Sequence, residues 1–193
     1  MFEELVTNRC KIRTFKPSDK DGLFKILSDK EVMKYIEPPF TMEQTNTFVR
    51  KYGLCDEPKI FALIIDKSKF VQKQENIHKR GESGDALAGH VIFHPFEDSD
   101  LEAVFGKGNV YELGFIIAKE YWRQGIATEI TEKLIEHSKQ IGLSALVVEC
   151  DPSNQASIKV AQNFGFELLP SANNFDGECG DVLSTYVLPL LAK

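Results

Sequence analysis

A chain of 193 residues with 42% hydrophobic and 27% charged side chains has the composition of one globular domain and leaves little room for two. Its 14 Phe, 5 Tyr and single Trp are enough to fill a core, which excludes wholesale disorder, and no apolar run reaches the roughly 20 residues that cross a bilayer. With 23 Lys and Arg against 29 Asp and Glu, the net charge of −6 argues against a nucleic-acid binder, whose affinity comes from clustered cations.

The opening MFEELVTNRCKIRTF has acids where a signal peptide has bases. Cys10, Cys55, Cys150 and Cys179 form no CxxC pair, so the expectation is reduced thiols in a cytoplasmic protein, with neither zinc knuckle nor disulfide framework. Residues 10–15 (CKIRTF) alternate apolar and basic and predict a half-buried first strand. Pro17, Ser18 and Asp19 mark a turn and helix start, with Leu23, Ile26 and Leu27 at helical spacing. Residues 31–36 read as a second short helix stopped by Pro38 and Pro39. Thr41 with Gln44 has capping-box form and opens a helix through Phe48, Val49 and Tyr52.

Residues 60–65 (IFALII) and 88–94 (AGHVIFH) predict two strands. The polar stretch between them, about residues 66–87, reads as an extended hairpin insertion within a single domain spanning 1–193. Residues 98–100 look like another exposed turn. From residue 110 the pattern is β-α-β-α-β: VYELGFIIA, a helix from Gly125, SALVVEC, QASIKVAQNF and FELL. In the first of these helices Ile126, Ile130, Leu134 and Ile141 line one face, Glu129, Glu132, Lys133, Glu136 and Lys139 the other, and Gly142 stops it. A loop at residues 171–180 then leads to a final strand over 181–190.

The joint KEYWRQGIATE is where chemistry enters. A strand running into a helix through Gly125 and the small Ala127 leaves the first helical N–H groups exposed with the positive dipole end behind them, a site that attracts phosphate, and Arg123 adds a mobile charge. A plain helix entry reads the same residues equally well. The segment is neither a P-loop nor GxGxxG.

It resembles the acyl-CoA-binding motif [R/Q]xxGx[G/A] of the GNAT N-acetyltransferase superfamily, on Trp122, Arg123, Gln124, Gly125, Ile126 and Ala127, with Trp122 where many members carry Arg or Gln. The YW…GxATE form is similar to the Rim-type branch of ribosomal-protein N-acetyltransferases. Asn154, Gln155, Ala156, Ser157, Ile158, Lys159 and Val160, followed by Asn163, Phe164, Gly165 and Phe166, resemble the family's NxxSxxV…xGF segment, and the likeness covers nearly the whole chain. The resemblance implies an α/β GNAT fold: a mixed, mostly antiparallel sheet with a splayed central parallel strand pair flanked by helices. It implies acetyl-CoA as co-substrate, no metal, and acetyl transfer to a primary amine by direct attack through a tetrahedral intermediate.

Carried onto this sequence, the resemblance assigns the pantetheine and thioester to the backbone of Phe115, Ile116 and Ile117. The pyrophosphate goes to the turn around Trp122 and the N–H groups from Arg123 to Thr128. Asn154 serves the cofactor arm or simply caps its helix. Oxyanion donors would be the N–H of Ile116 or Ile117. The Tyr acid of many relatives is replaced by Ala161, and Ser157 resembles the Ser given that role in the Rim-type branch, where a hydroxyl hydrogen-bonds the thiolate better than it protonates it. Glu112 is the candidate base, directly or through water, and Glu149 a lesser one. Outside the resemblance, His90 and His94 share a strand face and read as an ordinary pair rather than metal ligands, His137 as solvated and Cys150 as a core thiol. The acceptor is a protein N-terminus or a small-molecule amine such as a polyamine, aminoglycoside or amino sugar. A CoA-binding module without turnover is the reading from another class. Neither nucleic acid nor membrane is expected as a partner, and monomer and homodimer both stay open.

Overall fold

The computed structural model describes residues 3–69, 84–175 and 182–190. Two residues of a short edge strand, β1 (Leu5–Val6), precede the expected first strand, β2 (Cys10–Arg13). Helix α1 (Lys20–Leu27) buries Leu23, Ile26 and Leu27. Residues 31–36 form turns and not the expected second helix: the Asp29 carboxylate accepts from the Glu31 and Val32 amides, which holds a tight turn where a helix would need onward bonds. Helix α2 (Met42–Tyr52) opens on the predicted capping box, the Thr41 hydroxyl accepting from the Gln44 amide and the Gln44 side chain accepting from the Thr41 amide.

Strands β3 (Ile60–Asp66) and β4 (Asp85–Pro95) form a long antiparallel pair. Their register runs out to Asp66 opposite Asp85, so the expected hairpin insertion starts there; residues 70–83 lie outside the described residues. Asp98 is no mere turn residue: its carboxylate caps α3 (Ser99–Phe105), accepting from the Asp100 and Leu101 amides. Strand β5 (Val110–Ile117), helix α4 (Ile126–Gln140), strand β6 (Ala145–Cys150) and helix α5 (Gln155–Asn163) follow as expected. Ile141, expected on the apolar face of α4, is the C-cap and is 50% exposed, because the helix ends before that turn reaches the sheet. Strand β7 (Glu167–Phe175) runs through the first half of the expected 171–180 loop and pairs with β8 (Val182–Pro189), while 176–181 lie outside the described residues.

The described strands make one sheet in the order β1-β2-β3-β4-β5-β6-β8-β7, antiparallel throughout except for β5 beside β6. Alternation decides which helices cover which face. Along β4, His90 meets the Phe48 ring of α2 at 5.4 Å between centroids, and Phe93, pointing the other way, meets His137 of α4 at 5.9 Å. Thus α1 and α2 lie on one face and α4 on the other. Leu101 of α3 joins Val110, Ala145 and Val147 on the α2 face, while Ile158 and Ala161 of α5 join the main core with Ile130 and Leu134 of α4.

Candidate active site

The parallel pair is short. Val110, Tyr111 and Glu112 register with Ala145, Leu146 and Val147, and pairing stops there, so β5 and β6 diverge from Leu113 onward. In an extended strand, successive residues turn their backbone N–H and C=O to opposite sides. The Val110 carbonyl accepts from Phe96 on the β4 side, and the Ala118 amide donates to Ala88 of β4. Even-numbered residues therefore face β4, and Ile116 obeys: a Cβ added to Gly89 of β4 would sit 1.8 Å from its carbonyl oxygen. The backbone groups of Leu113, Phe115 and Ile117 are the ones turned into the gap. Of the three residues expected to hold the cofactor arm there, Phe115 and Ile117 are so placed and Ile116 is not.

Past Ala118 the chain makes a turn over Lys119–Tyr121 and enters α4 through two left-handed residues, Arg123 (φ 58°) and Gly125 (φ 77°). The first helical bond runs from the Glu129 amide to the Gly125 carbonyl at 3.0 Å, which leaves the amides of Ile126, Ala127 and Thr128 outside the helical ladder. Trp122, 40% exposed, donates its indole N–H to the Ile117 carbonyl at 2.7 Å, and the Gln124 side chain donates to the Glu120 carbonyl. Trp122 thereby ties this turn to the open edge of β5.

The turn is also braced from the far end of the sheet. Glu129 Oε1 accepts from the Thr7 hydroxyl at 2.5 Å and from the Arg9 amide at 2.7 Å, and Oε2 accepts from Arg9 Nε at 2.7 Å. Arg9 Nη1 continues to the Gln124 carbonyl at 2.7 Å. Burial works against the Glu129 charge, but the bonds from Thr7 and Arg9 outweigh it and lower the pKa. Glu129, expected on the face of α4 opposite the apolar one, anchors the β1–β2 corner to the helix start.

Across the gap, Asn154 caps α5, its side-chain oxygen accepting from the Ser157 amide at 3.2 Å. The cap uses only the oxygen of Asn154, so its amide nitrogen is still a donor. Ser157 is half-buried and near enough to Cys150, at the end of β6, for its hydroxyl to favour the thiolate form. Burial pushes the Cys150 thiol up to about 11, so it is a neutral thiol at physiological pH, in keeping with a core cysteine.

On the α2 face of β5, Glu112 Oε2 stands 3.1 Å from Nε2 of His94, its register partner on β4. His94 Nδ1 lies 2.8 Å from the Pro95 carbonyl. Burial disfavours a charged ring, but acceptors at both nitrogens favour the imidazolium and the net shift is upward. The pair forms the floor of a cleft of about 720 Å³, walled by Phe48 and Tyr52 of α2 and by Ile60 and Ile92 of the sheet. Glu149, the lesser base candidate, accepts instead from the buried Thr185 hydroxyl at 3.1 Å. His90 does not join His94: it is wholly buried against Phe48. Among the described residues no group of three or more His, Cys, Asp or Glu side chains could hold a metal ion, and no helix is long and apolar enough to cross a membrane.

By chain order Glu112, Phe115 and Ile117 lie on β5 and the turn from Trp122 to Thr128 follows it, while Asn154 and Ser157 follow β6, so these residues stand on or just beyond the two strands that diverge. Two residues that sequence reasoning did not assign to the site stand out. His94 was legible only as half of a same-face pair, because its carboxylate partner is set by strand register. Arg9 carried no local signal, since its partner lies 120 positions away.

Residues 9–167 match the family model described as an acetyltransferase (GNAT) domain. The chain is 29% identical over 163 residues to the uncharacterized N-acetyltransferase YnaD of Bacillus subtilis (strain 168), covering 83% of this chain and 81% of that protein. A GNAT-family acetyltransferase of Bacillus anthracis superposes with a TM-score of 0.70 at 25% identity, over 96% of both chains. RimL, a ribosomal L7/L12 α-N-protein acetyltransferase solved with coenzyme A, superposes with a TM-score of 0.70 at 18% identity over 97% of this chain and 98% of its own, a likeness of fold. With the family model matched over most of its length, the chain belongs to the GNAT acetyltransferase family and is an acetyl-CoA-dependent enzyme.

Proposed function

We propose that this protein transfers the acetyl group of acetyl-CoA to a primary amine by direct attack, with Glu112 receiving the amine proton and Ser157 hydrogen-bonding the departing thiolate. The observation that carries the reading is the divergence of β5 from β6 after Glu112, with Glu112 at the last paired position of β5 and Ser157 on the helix that follows β6. The fit to the coenzyme rests on two features. Gap-facing backbone groups of Leu113, Phe115 and Ile117 offer an extended pantetheine arm the strand-like partners it needs. The amides of Ile126, Ala127 and Thr128, backed by the α4 dipole and reached through the left-handed Arg123 and Gly125, suit a pyrophosphate. The Asn154 amide nitrogen, which its cap does not use, can donate to the arm from the β6 side.

Bound acetyl-CoA supplies an activated thioester; the chain supplies position and proton handling. The Phe115 or Ile117 N–H donates to the carbonyl oxygen as negative charge gathers on it in the tetrahedral intermediate. An amine held in the cleft beside Glu112 meets a carboxylate fixed by His94, and its nitrogen sheds a proton to that carboxylate as it attacks. The thiolate leaves toward Ser157, which stabilises it by hydrogen bonding. A peptide N-terminus is an acceptor of this class, as in RimL.

The test measures thiol release from acetyl-CoA against peptides with free N-termini and small amines, with CoA binding followed by calorimetry. Glu112→Gln should lower kcat by about 10²-fold or more and Ser157→Ala by less, both with CoA affinity retained. CoA binding without thiol release on any amine would leave a coenzyme-binding module, and absence of CoA binding would refute the reading.

A further inference from the structure

The charges that line the cleft are sorted. Glu37 and Glu43 stand where the chain enters α2, whereas Lys51 and Lys59 stand at and beyond its C-terminal end. Lys51 lies over the Tyr52 ring, 4.7 Å from its centroid. Lys59 immediately precedes β3, makes no ion pair among the described residues, and is close enough to His94 for its charge to oppose protonation of the ring. At the floor, Glu112 Oε2 and His94 Nε2 are already partners at 3.1 Å. Lys59 is therefore a cation on the cleft wall that has no ion pair among the described residues.

From this arrangement we infer that the acceptor is a primary amine carrying a carboxylate close to its nitrogen, with Lys59 reading the carboxylate while Glu112 takes the amine. The inference rests on the proposed acetyl transfer and names its substrate class. A polyamine or an aminoglycoside with one amine beside Glu112 would bring a further ammonium group against Lys59, where like charges repel. A carboxylate-bearing amine completes the charge pattern: its nitrogen lies beside Glu112, its anion reaches Lys59, and its apolar part covers Phe48, Ile60 and Ile92. Two sources share that chemistry: a free amino acid, and a peptide whose second residue is acidic.

Matched acceptors test it. Rates with acetyl-CoA are compared for phenylalanine and phenethylamine, for a peptide with aspartate or asparagine in second place, and for spermidine. The wild-type chain should prefer the carboxylate-bearing member of at least one matched pair by about fivefold in kcat/KM, the size of a partly solvated ion pair. Which pair responds identifies the source. In Lys59→Gln that ratio should fall to about one with the KM for acetyl-CoA unchanged, and in Lys59→Glu it should invert. Lys59 is exposed, so neither variant removes core packing. Faster turnover of phenethylamine or spermidine, or a ratio indifferent to residue 59, overturns the inference. So does thiol release from none of these amines by a chain that binds CoA, whereas failure to bind CoA sinks the underlying reading instead.

Discussion

Replacing His90 by Leu should raise stability at neutral pH and remove most of the acid sensitivity that this site confers. His90 is 0% exposed, neither ring nitrogen has a hydrogen-bond partner among the described residues, and its surroundings are the Phe48 ring and, by register, Ala62 and Ile116. Burial alone drives its pKa from 6.5 down to about 4. The folded state thus excludes a proton that the unfolded chain accepts. Stability is full above about pH 6.5, falls as pH drops through that value, and stops falling near pH 4, where the folded state protonates as well. The whole loss is about 3 kcal/mol, since each tenfold difference in proton affinity between the two states is worth about 1.4 kcal/mol, and about 2 kcal/mol of it has accrued by pH 5.

Leucine fills similar space with no polar atom, so the variant also escapes the cost of buried unpaired nitrogens, about 1–3 kcal/mol, against repacking losses of about 1 kcal/mol. Urea titrations of both proteins at pH 7, 6 and 5 measure the difference. The variant should be modestly more stable at pH 7, with its advantage widening by about 2 kcal/mol at pH 5, close to 1 M in midpoint for a chain of this size. An advantage that stays constant to within about 0.5 kcal/mol across that range would show that His90 is not an unpartnered neutral ring in the fold.

Two further variants probe the elements that position the gap. Gly89→Ala would place a Cβ 1.8 Å from the Ile116 carbonyl oxygen at a residue with φ +154°, so the β4–β5 register must shift; loss of cooperative melting, or a Tm lowered by well over 5 °C, is expected by circular dichroism. A native-like melt would mean that β4 can relax around that site. Arg9→Met should weaken CoA binding about fivefold or more, because the Gln124 carbonyl and Glu129 both lose their guanidinium and an unbalanced carboxylate remains at the start of α4. Calorimetry that returns the wild-type affinity would separate the Arg9 brace from the coenzyme site.

What the sequence makes legible here follows the range of the forces involved. The capping box at Thr41 and Gln44, the left-handed Gly125 and the apolar stripe of Ile126, Ile130 and Leu134 are set by neighbours within a turn or two, and all are present. The turns over residues 31–36 depended on Asp29 bonding its own backbone, a short polar competitor that helical spacing does not register. The same competition hid α3, where Asp98 reads as a turn residue until its carboxylate is seen capping Asp100 and Leu101. The site divides the same way. Motifs located the helix entry and the Asn154–Ser157 segment, whereas His94 beside Glu112 needs the β4–β5 register and Arg9 beside Glu129 needs the whole sheet. Alternation along β5 was visible, yet which parity faces the gap is fixed only by bonds to Phe96 and Ala88, and those remove Ile116 from the set.

Those same alternations explain why one divergent strand pair can serve an acyl transfer. Register with β6 puts Cys150, and with it Ser157, on the face of the sheet covered by α4 and α5, the face from which a coenzyme held at the start of α4 would approach. Glu112 and His94 lie on the opposite face, under α2. A thioester in the gap would therefore meet its amine from the α2 side and release its thiolate toward the α4 and α5 side, so that acceptor and coenzyme need not share one entrance. An ordinary parallel pair would close that passage with ladder hydrogen bonds, and a wider break would forfeit the backbone donors of Phe115 and Ile117. The three paired positions from Val110 to Glu112 end where both requirements are met, which makes Glu112 at once the last residue of the ladder and the first of the cleft.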